Sequence, residues 1–161
     1  MATVGGWWTP EENFTKDTVW WYSTNLSPAN AAWAYDKGSP QRRIAALELF
    51  GTLLLLRTMG TSLQDRCLRY STDNRANAHG LLRCYSKKAP LATIQLAIVM
   101  ELQRNNAHLA TGHVLRDENK WADQLTRGDY GGFCSAHRLT PNVDFQDIND
   151  LARLWDGHRR T

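Results

Sequence analysis

Cysteine is sparse in this chain. The three residues Cys67, Cys84 and Cys134 show no Cys-x-x-Cys spacing. Three thiols cannot all pair within one chain, so neither a disulfide framework nor a structural zinc site is expected. A reduced, intracellular compartment is the default expectation. Charge of one sign is not in large excess either: 19 Lys+Arg against 16 Asp+Glu leave a net charge of +3. That balance permits a polyanionic partner without demanding one. The sequence has no Gly/Ser linker long enough to separate domains, no internal repeat and no low-complexity tract. Residues Met1 to Trp8 lack a basic segment followed by an apolar stretch, so no secretory signal is expected. The most apolar run, Ile44 to Leu56, is 13 residues long and contains Glu48. A bilayer-spanning helix needs roughly 20 residues, so no membrane partner is expected.

What is present is a globular composition, 42% apolar and 22% charged over 161 residues, within the range of a single domain. Val4 to Trp8 and Thr18 to Thr24 carry β-branched and aromatic residues and read as strands, with Thr9 to Asn13 as a loop between them. Asn25 to Pro40 reads as a short strand or irregular segment. Gln41 to Met59 holds strong helix formers, apolar nearly all round, and Gly60 stops it. Arg66 to Thr72 reads as a strand, and Asp73-Asn74 opens a helix to about Tyr85. After Pro90, the residues Leu91, Ile94, Ile98 and Leu102 recur at helical spacing up to Asn105. His108 to Leu115 reads as a strand, and Asp117 caps a helix reaching Thr126. Beyond Gly128 the chain is turn-rich, with a short helix at Ile148 to Trp155. Strands precede helices and then alternate with them, so the fold class is α/β or α+β with a mixed sheet.

Three carboxylates stand out. Glu48 lies between Ala45-Ala46-Leu47 and Leu49-Phe50, where a lone charge costs several kcal/mol unless it is paired or bound to a cation. Gly51 and Thr52, three and four residues on, leave room beside it. The alternative is a solvated stripe, with Glu48 paired to Arg43 or Gln41. Asp73 stands where a strand ends and a helix begins, a place suited both to capping and to chemistry. Asp123 shares a helix face with Asn119, and taken by itself a solvated surface role is its more ordinary explanation.

Ser71-Thr72-Asp73-Asn74, together with His113-Val114-Leu115-Arg116-Asp117-Glu118-Asn119-Lys120-Trp121-Ala122-Asp123-Gln124-Leu125-Thr126-Arg127, resembles the second half of the ribonuclease H domain of retroelement (retrotransposon) reverse transcriptases. Ala45-Ala46-Leu47-Glu48-Leu49 is similar to the glutamate-bearing helix of that family. The resemblance spans about Val4 to Arg127, and its last segment is the specific portion. It implies a ribonuclease H-like α/β fold with a mixed central sheet flanked by helices, over residues 1–127, followed by a C-terminal extension, 128–161. It implies a magnesium-dependent hydrolase cutting the RNA strand of an RNA–DNA hybrid, using two Mg²⁺ or Mn²⁺ ions. Glu48, Asp73 and Asp123 would be the metal ligands, one ion activating the attacking water and the other stabilising the departing 3′ oxygen. His113 would assist proton transfer or product release. Asn74 and Asn119 would position substrate or carboxylates, and Arg116, Lys120 and Arg127 would lie near the phosphates. The implied partners are the hybrid and a polymerase domain in a longer polyprotein, inside the cell, in cytoplasm or nucleus.

The family carries a further aspartate on a first strand, which this sequence does not show. In one alignment Val4 to Trp8 is the second strand and the first lies before Met1. In the other, Thr18 to Thr24 is the first strand and Asn25 stands where the aspartate belongs, with Asp17 and Asp36 as weaker stand-ins. The first is preferred, because the 23 residues from Asn25 to Glu48 are cramped for two further strands. Either way the expectation is little or no nuclease activity from this chain alone. The competing expectation is a catalytically inactive nucleic-acid-binding or connection module of the same fold.

Overall fold

The computed structural model describes residues 1–74, 77, 90–113, 119–141 and 148. Aromatic and β-branched residues build β1 (Ala2–Trp8) and β2 (Trp20–Leu26), which pair antiparallel from Ala2–Leu26 to Trp8–Trp20. Both faces of β2 are covered. Tyr22 and Leu26 point into the main core, while Trp21 packs into a second, smaller cluster with Val19, Leu125 and Phe133.

The segment expected as a short strand or irregular stretch instead contains one helical turn, α1 (Ala32–Tyr35), with Trp33 and Ala34 buried. Alanine favours helix, and the Tyr35 hydroxyl anchors the turn to the end of the ladder. That hydroxyl donates to the Leu26 carbonyl and accepts from the Ala2 N–H at 2.9 Å. A 3₁₀ turn, Pro40–Arg43, leads into α2 (Ile44–Met59), and Gly60 ends the helix at a φ of 55°. Leu49, Phe50, Leu53 and Leu54 of α2 are fully buried and form the middle of the main core. With its flanking turns the helical stretch Pro40–Leu63 runs 24 residues and is long and apolar enough to cross a membrane by length and composition. The 13-residue run therefore understates this helix. More than half of its most apolar window is buried within the protein, as in a core helix.

β3 (Cys67–Thr72) pairs in parallel with β4 (His108–His113), Cys67 beside His108 and Thr72 beside His113. Between them α3 (Leu91–Arg104) starts after Pro90 and buries Ile94 and Ile98 against α2. The buried Glu101 carboxylate links the two helices, reaching Arg57 of α2 at 3.4 Å and Arg104 at 3.0 Å. The last described helix, α4 (Lys120–Thr126), has Asn119 at its N-cap position, whereas the expected cap, Asp117, lies outside the described residues. So do most of the expected helix from Asp73 to Tyr85, the end of the strand at Leu115, and all but Ile148 of the helix to Trp155.

The architecture is mixed α/β. The single central sheet expected from the sequence is not formed among the described residues: the strands make two two-stranded ladders, β1–β2 and β3–β4. The first is a local antiparallel pair and the second a crossover pair, and no described strand bridges them. The β1–β2 ladder lies between α2 on one face and α4 on the other. Residues after Gly128 join the second face. The Trp21 indole N–H donates to the Cys134 carbonyl at 2.8 Å, and the Leu139 N–H donates to the Trp21 carbonyl at 2.6 Å. Arg138 stacks its guanidinium over both Trp21 and Tyr130.

Gly5 lets α4 approach β1 closely, since a Cβ there would lie 2.7 Å from Leu125 Cβ and 3.0 Å from its carbonyl carbon. Because backbone as well as side chain stands in the way, Gly5→Ala is expected to cost about 1–3 kcal/mol of stability. Urea unfolding of the two proteins measures it; an unchanged midpoint would show that α4 yields freely.

Candidate functional site

Glu48 faces the end of β3 from the middle of α2. Its Oε2 accepts a hydrogen bond from Asn74 Nδ2 at 2.9 Å. Arg43, the alternative partner expected for Glu48, is instead engaged by both carboxylate oxygens of Asp36. Asn74 also works as a helix cap does, its Oδ1 accepting the Asn77 N–H at 3.0 Å, while the Thr72 hydroxyl oxygen accepts the Asn74 N–H at 3.1 Å. Asn77 in turn donates to the Ala45 carbonyl at 2.9 Å and ties this corner to the start of α2. The capping that the sequence offered to Asp73 therefore falls to Asn74, one residue on.

The room expected beside Glu48 at Gly51 and Thr52 is filled by two tyrosine hydroxyls. Tyr22, from β2, donates to the Gly51 carbonyl. Tyr70, from β3, shares a 2.8 Å hydrogen bond with the Thr52 hydroxyl. Burial is the main cause that lifts both phenols above their ordinary value of 10.0. For Tyr70, hydrogen bonds from Thr52 and Thr72 pull the other way, and the carboxylates of Glu48 and Asp73 add to the rise. Two predicted ligands thus act electrostatically on one tyrosine, and a hydrogen bond joins Glu48 to Asn74, the neighbour of Asp73 in the chain. These tyrosines are the members of the site that residue patterns missed; their signal was two large polar aromatics opposite Gly51 and Thr52 of α2.

The remaining predicted residues are placed differently. The backbone of His113 ends β4 beside Thr72, next to Asp73 in the chain. Asp123 lies on α4, nearly half exposed, and its carboxylate is 2.8 Å from Arg127 one turn on. Arg127 is thereby an ion-pair partner of a predicted ligand. Lys120 is exposed at the start of α4, Asn119 is half-buried at the N-cap position without a capping bond, and Arg116 lies outside the described residues. Among the described residues no three His, Cys, Asp or Glu side chains form a group able to hold a metal ion. Glu48 and Asp73 are hard oxygen donors of the kind Mg²⁺ takes, commonly one or two carboxylates with water completing its shell. The implied pair of ions bridged by three carboxylates does not fit, because Asp123 is not grouped with the other two among the described residues. No protein-family model, curated protein or solved structure matches the chain.

Two outcomes follow from this corner. Asn74→Ala removes a cap and a carboxylate partner, and is expected to destabilise by about 1–2 kcal/mol. Asn74→Asp keeps the cap but sets a second carboxylate against Glu48, so its deficit at pH 7 should shrink below pH ~4 as the carboxyls protonate; thermal melts at the two pH values compare them. The raised tyrosines give the opposite edge. A group whose folded pKa exceeds its unfolded value contributes stability below the unfolded value and loses it as pH rises through the folded one. Stability should therefore fall above pH 10, the ordinary value of the phenols, and Tyr70→Phe should flatten that decline in alkaline urea melts.

Proposed function

We propose that this chain is a ribonuclease H-like domain of a retroelement reverse transcriptase, acting on the RNA strand of RNA–DNA hybrids through Glu48 and Asp73. The observation that carries the reading is the Asn74 bridge, which holds the helix carboxylate beside the strand end that bears Asp73. The element order supports it: a two-stranded ladder, the Glu48 helix, a strand ending at Thr72 just before Asp73-Asn74, a crossover, a parallel strand and the Asp123 helix. That is the order the resemblance implies for these motifs.

On this reading Glu48 and Asp73 would hold one Mg²⁺ or Mn²⁺, which when bound acidifies a water and screens phosphate charge. Asn74 fixes the Glu48 carboxylate, and Tyr70 and Tyr22 wall the site off from the core. Lys120 meets the phosphates as a salt-dependent cation, and Arg127 does so where it is released from Asp123. The polymerase partner, the longer polyprotein and the intracellular setting belong to the same proposal. With two carboxylates gathered rather than three, cleavage by this chain alone is slow.

A second reading, the inactive hybrid-binding or connection module, is favoured by the Asp123–Arg127 ion pair, which ties up the third carboxylate on its own helix.

Mn²⁺ titration followed by electron paramagnetic resonance, run beside cleavage of a labelled hybrid, separates the two. The nuclease reading expects one ion site and slow cutting, both lost in Glu48→Gln and Asp73→Asn. Asn74→Ala should weaken the ion roughly tenfold, as loss of a ligand's supporting partner does. Hybrid binding that weakens with salt, with no ion site and no cutting, would establish the module instead.

A further inference from the structure

The loop between β1 and β2 carries charge opposite to that of the whole chain. Thr9 to Val19 hold three carboxylates, Glu11, Glu12 and Asp17, against one lysine, whereas the chain is net +3. That lysine is turned inward. The Lys16 ammonium donates to Gln124 Oε1 at 2.6 Å and to the Gly131 carbonyl at 3.2 Å, and it lies 5.2 Å from the centre of the Phe133 ring. What the loop shows to solvent is therefore acidic.

The loop is also held in one shape. The Thr15 N–H donates to the Thr18 hydroxyl at 3.0 Å, and the Thr18 N–H donates back to the Thr15 carbonyl at 3.1 Å. The Thr15 hydroxyl donates to Asp17. Phe14 packs on Trp7 of β1 and Trp121 of α4, with ring centroids 5.3 and 5.9 Å away. Both rings meet it at an angle, and Phe14 keeps 40% of its surface in solvent. Glu12, Asn13, Phe14, Thr15 and Thr18 line an open cleft of about 440 Å³. The two threonines spend their hydroxyls within the loop. Glu12 and Asn13 are exposed, and neither side chain has a hydrogen-bond or ion-pair partner among the described residues.

We infer that this cleft takes the arginine side chain of a partner polypeptide. A planar guanidinium forks onto the Glu12 carboxylate and lies over the open part of Phe14, while the Asn13 amide oxygen accepts a further N–H. A lysine ammonium is a compact, more strongly hydrated charge and gains less from the ring. Phosphate is repelled by the carboxylates, so nucleic acid is not the occupant. An aliphatic side chain would cover Phe14 but leave Glu12 with nothing to pair with. The cleft lies on the α4 side of the β1–β2 ladder, across it from α2 and Glu48, so its occupant is independent of hybrid cleavage.

The test is a titration of the full ¹⁵N-labelled chain, at 0.15 M salt, with the peptide acetyl-Ser-Arg-Ser-Arg-Ser-amide, followed by amide chemical shifts. The amides from Glu12 to Thr18 should move together and saturate. The same peptide with citrulline for arginine, which has the shape without the charge, should leave them still, and a lysine version should bind about threefold more weakly. Glu12→Gln changes an exposed side chain and spares the fold; Phe14→Leu keeps apolar bulk against Trp7 and Trp121 but loses the ring. Each should weaken binding about threefold to fivefold. Binding of the citrulline peptide, lysine binding as tight as arginine, unchanged affinity in either variant, shifts only outside the loop, or none at millimolar peptide would each overturn the inference. So would loop shifts that grow with protein concentration without peptide, which would make a second copy the occupant.

Discussion

The fold depends on how two tyrosines meet one helix. α2 is apolar almost all round, and a helix of that kind offers neighbouring strands little to fix their height or register. Gly51 and Thr52 supply what the leucines do not: a reachable backbone carbonyl and a hydroxyl. Tyr22 takes the first on behalf of β2 and Tyr70 takes the second on behalf of β3. The fully buried Tyr22 phenol needs a partner, because an unsatisfied hydroxyl in the core costs on the order of 1–3 kcal/mol, and the partly buried Tyr70 finds one too. The need for satisfaction therefore sets where both ladders sit on the helix.

The same contacts shape the electrostatics of the corner above them. Tyr70 stays neutral because burial disfavours its anion, and the charges of Glu48 and Asp73 disfavour that anion further. Asn74 neutralises nothing but orients one carboxylate, using its amide nitrogen for Glu48 and its oxygen for the Asn77 N–H. A small amide thus connects strand end, Asn77 and acid in one side chain. Asp123 lives under other rules, in water and beside Arg127, where a screened ion pair contributes little.

Much of this was legible along the chain. The two early strands, the long helix with its Gly60 stop, the strand at Cys67–Thr72, the Pro90 start and the helix before Arg127 all follow from local composition and period. Ala32–Tyr35 was not legible, because its helical turn is held by a tyrosine reaching across to Leu26, a contact no local window contains. The same holds at the site. Glu48 stands out as a charge in an apolar helix and Asp73 as an acid at a strand end, but the hydrogen bond that holds Glu48 comes from Asn74, whose sequence context reads equally well as a cap. The pairing of Arg43 with Asp36 was likewise hidden, since it depends on where the α1 turn sets its neighbour.

The stretch after Gly128 carries one more implication. Its backbone is stitched to Trp21, its Arg138 guanidinium lies over the adjacent rings of Trp21 and Tyr130, and Phe133 closes the small cluster beneath α4. A polypeptide trimmed at Arg127 would strip the roof from Trp21 and leave the far side of β2 sticky, inviting sheet-to-sheet association between molecules. The residues after Gly128 thus cover one side of the hairpin, and a version of the protein without them would expose Trp21.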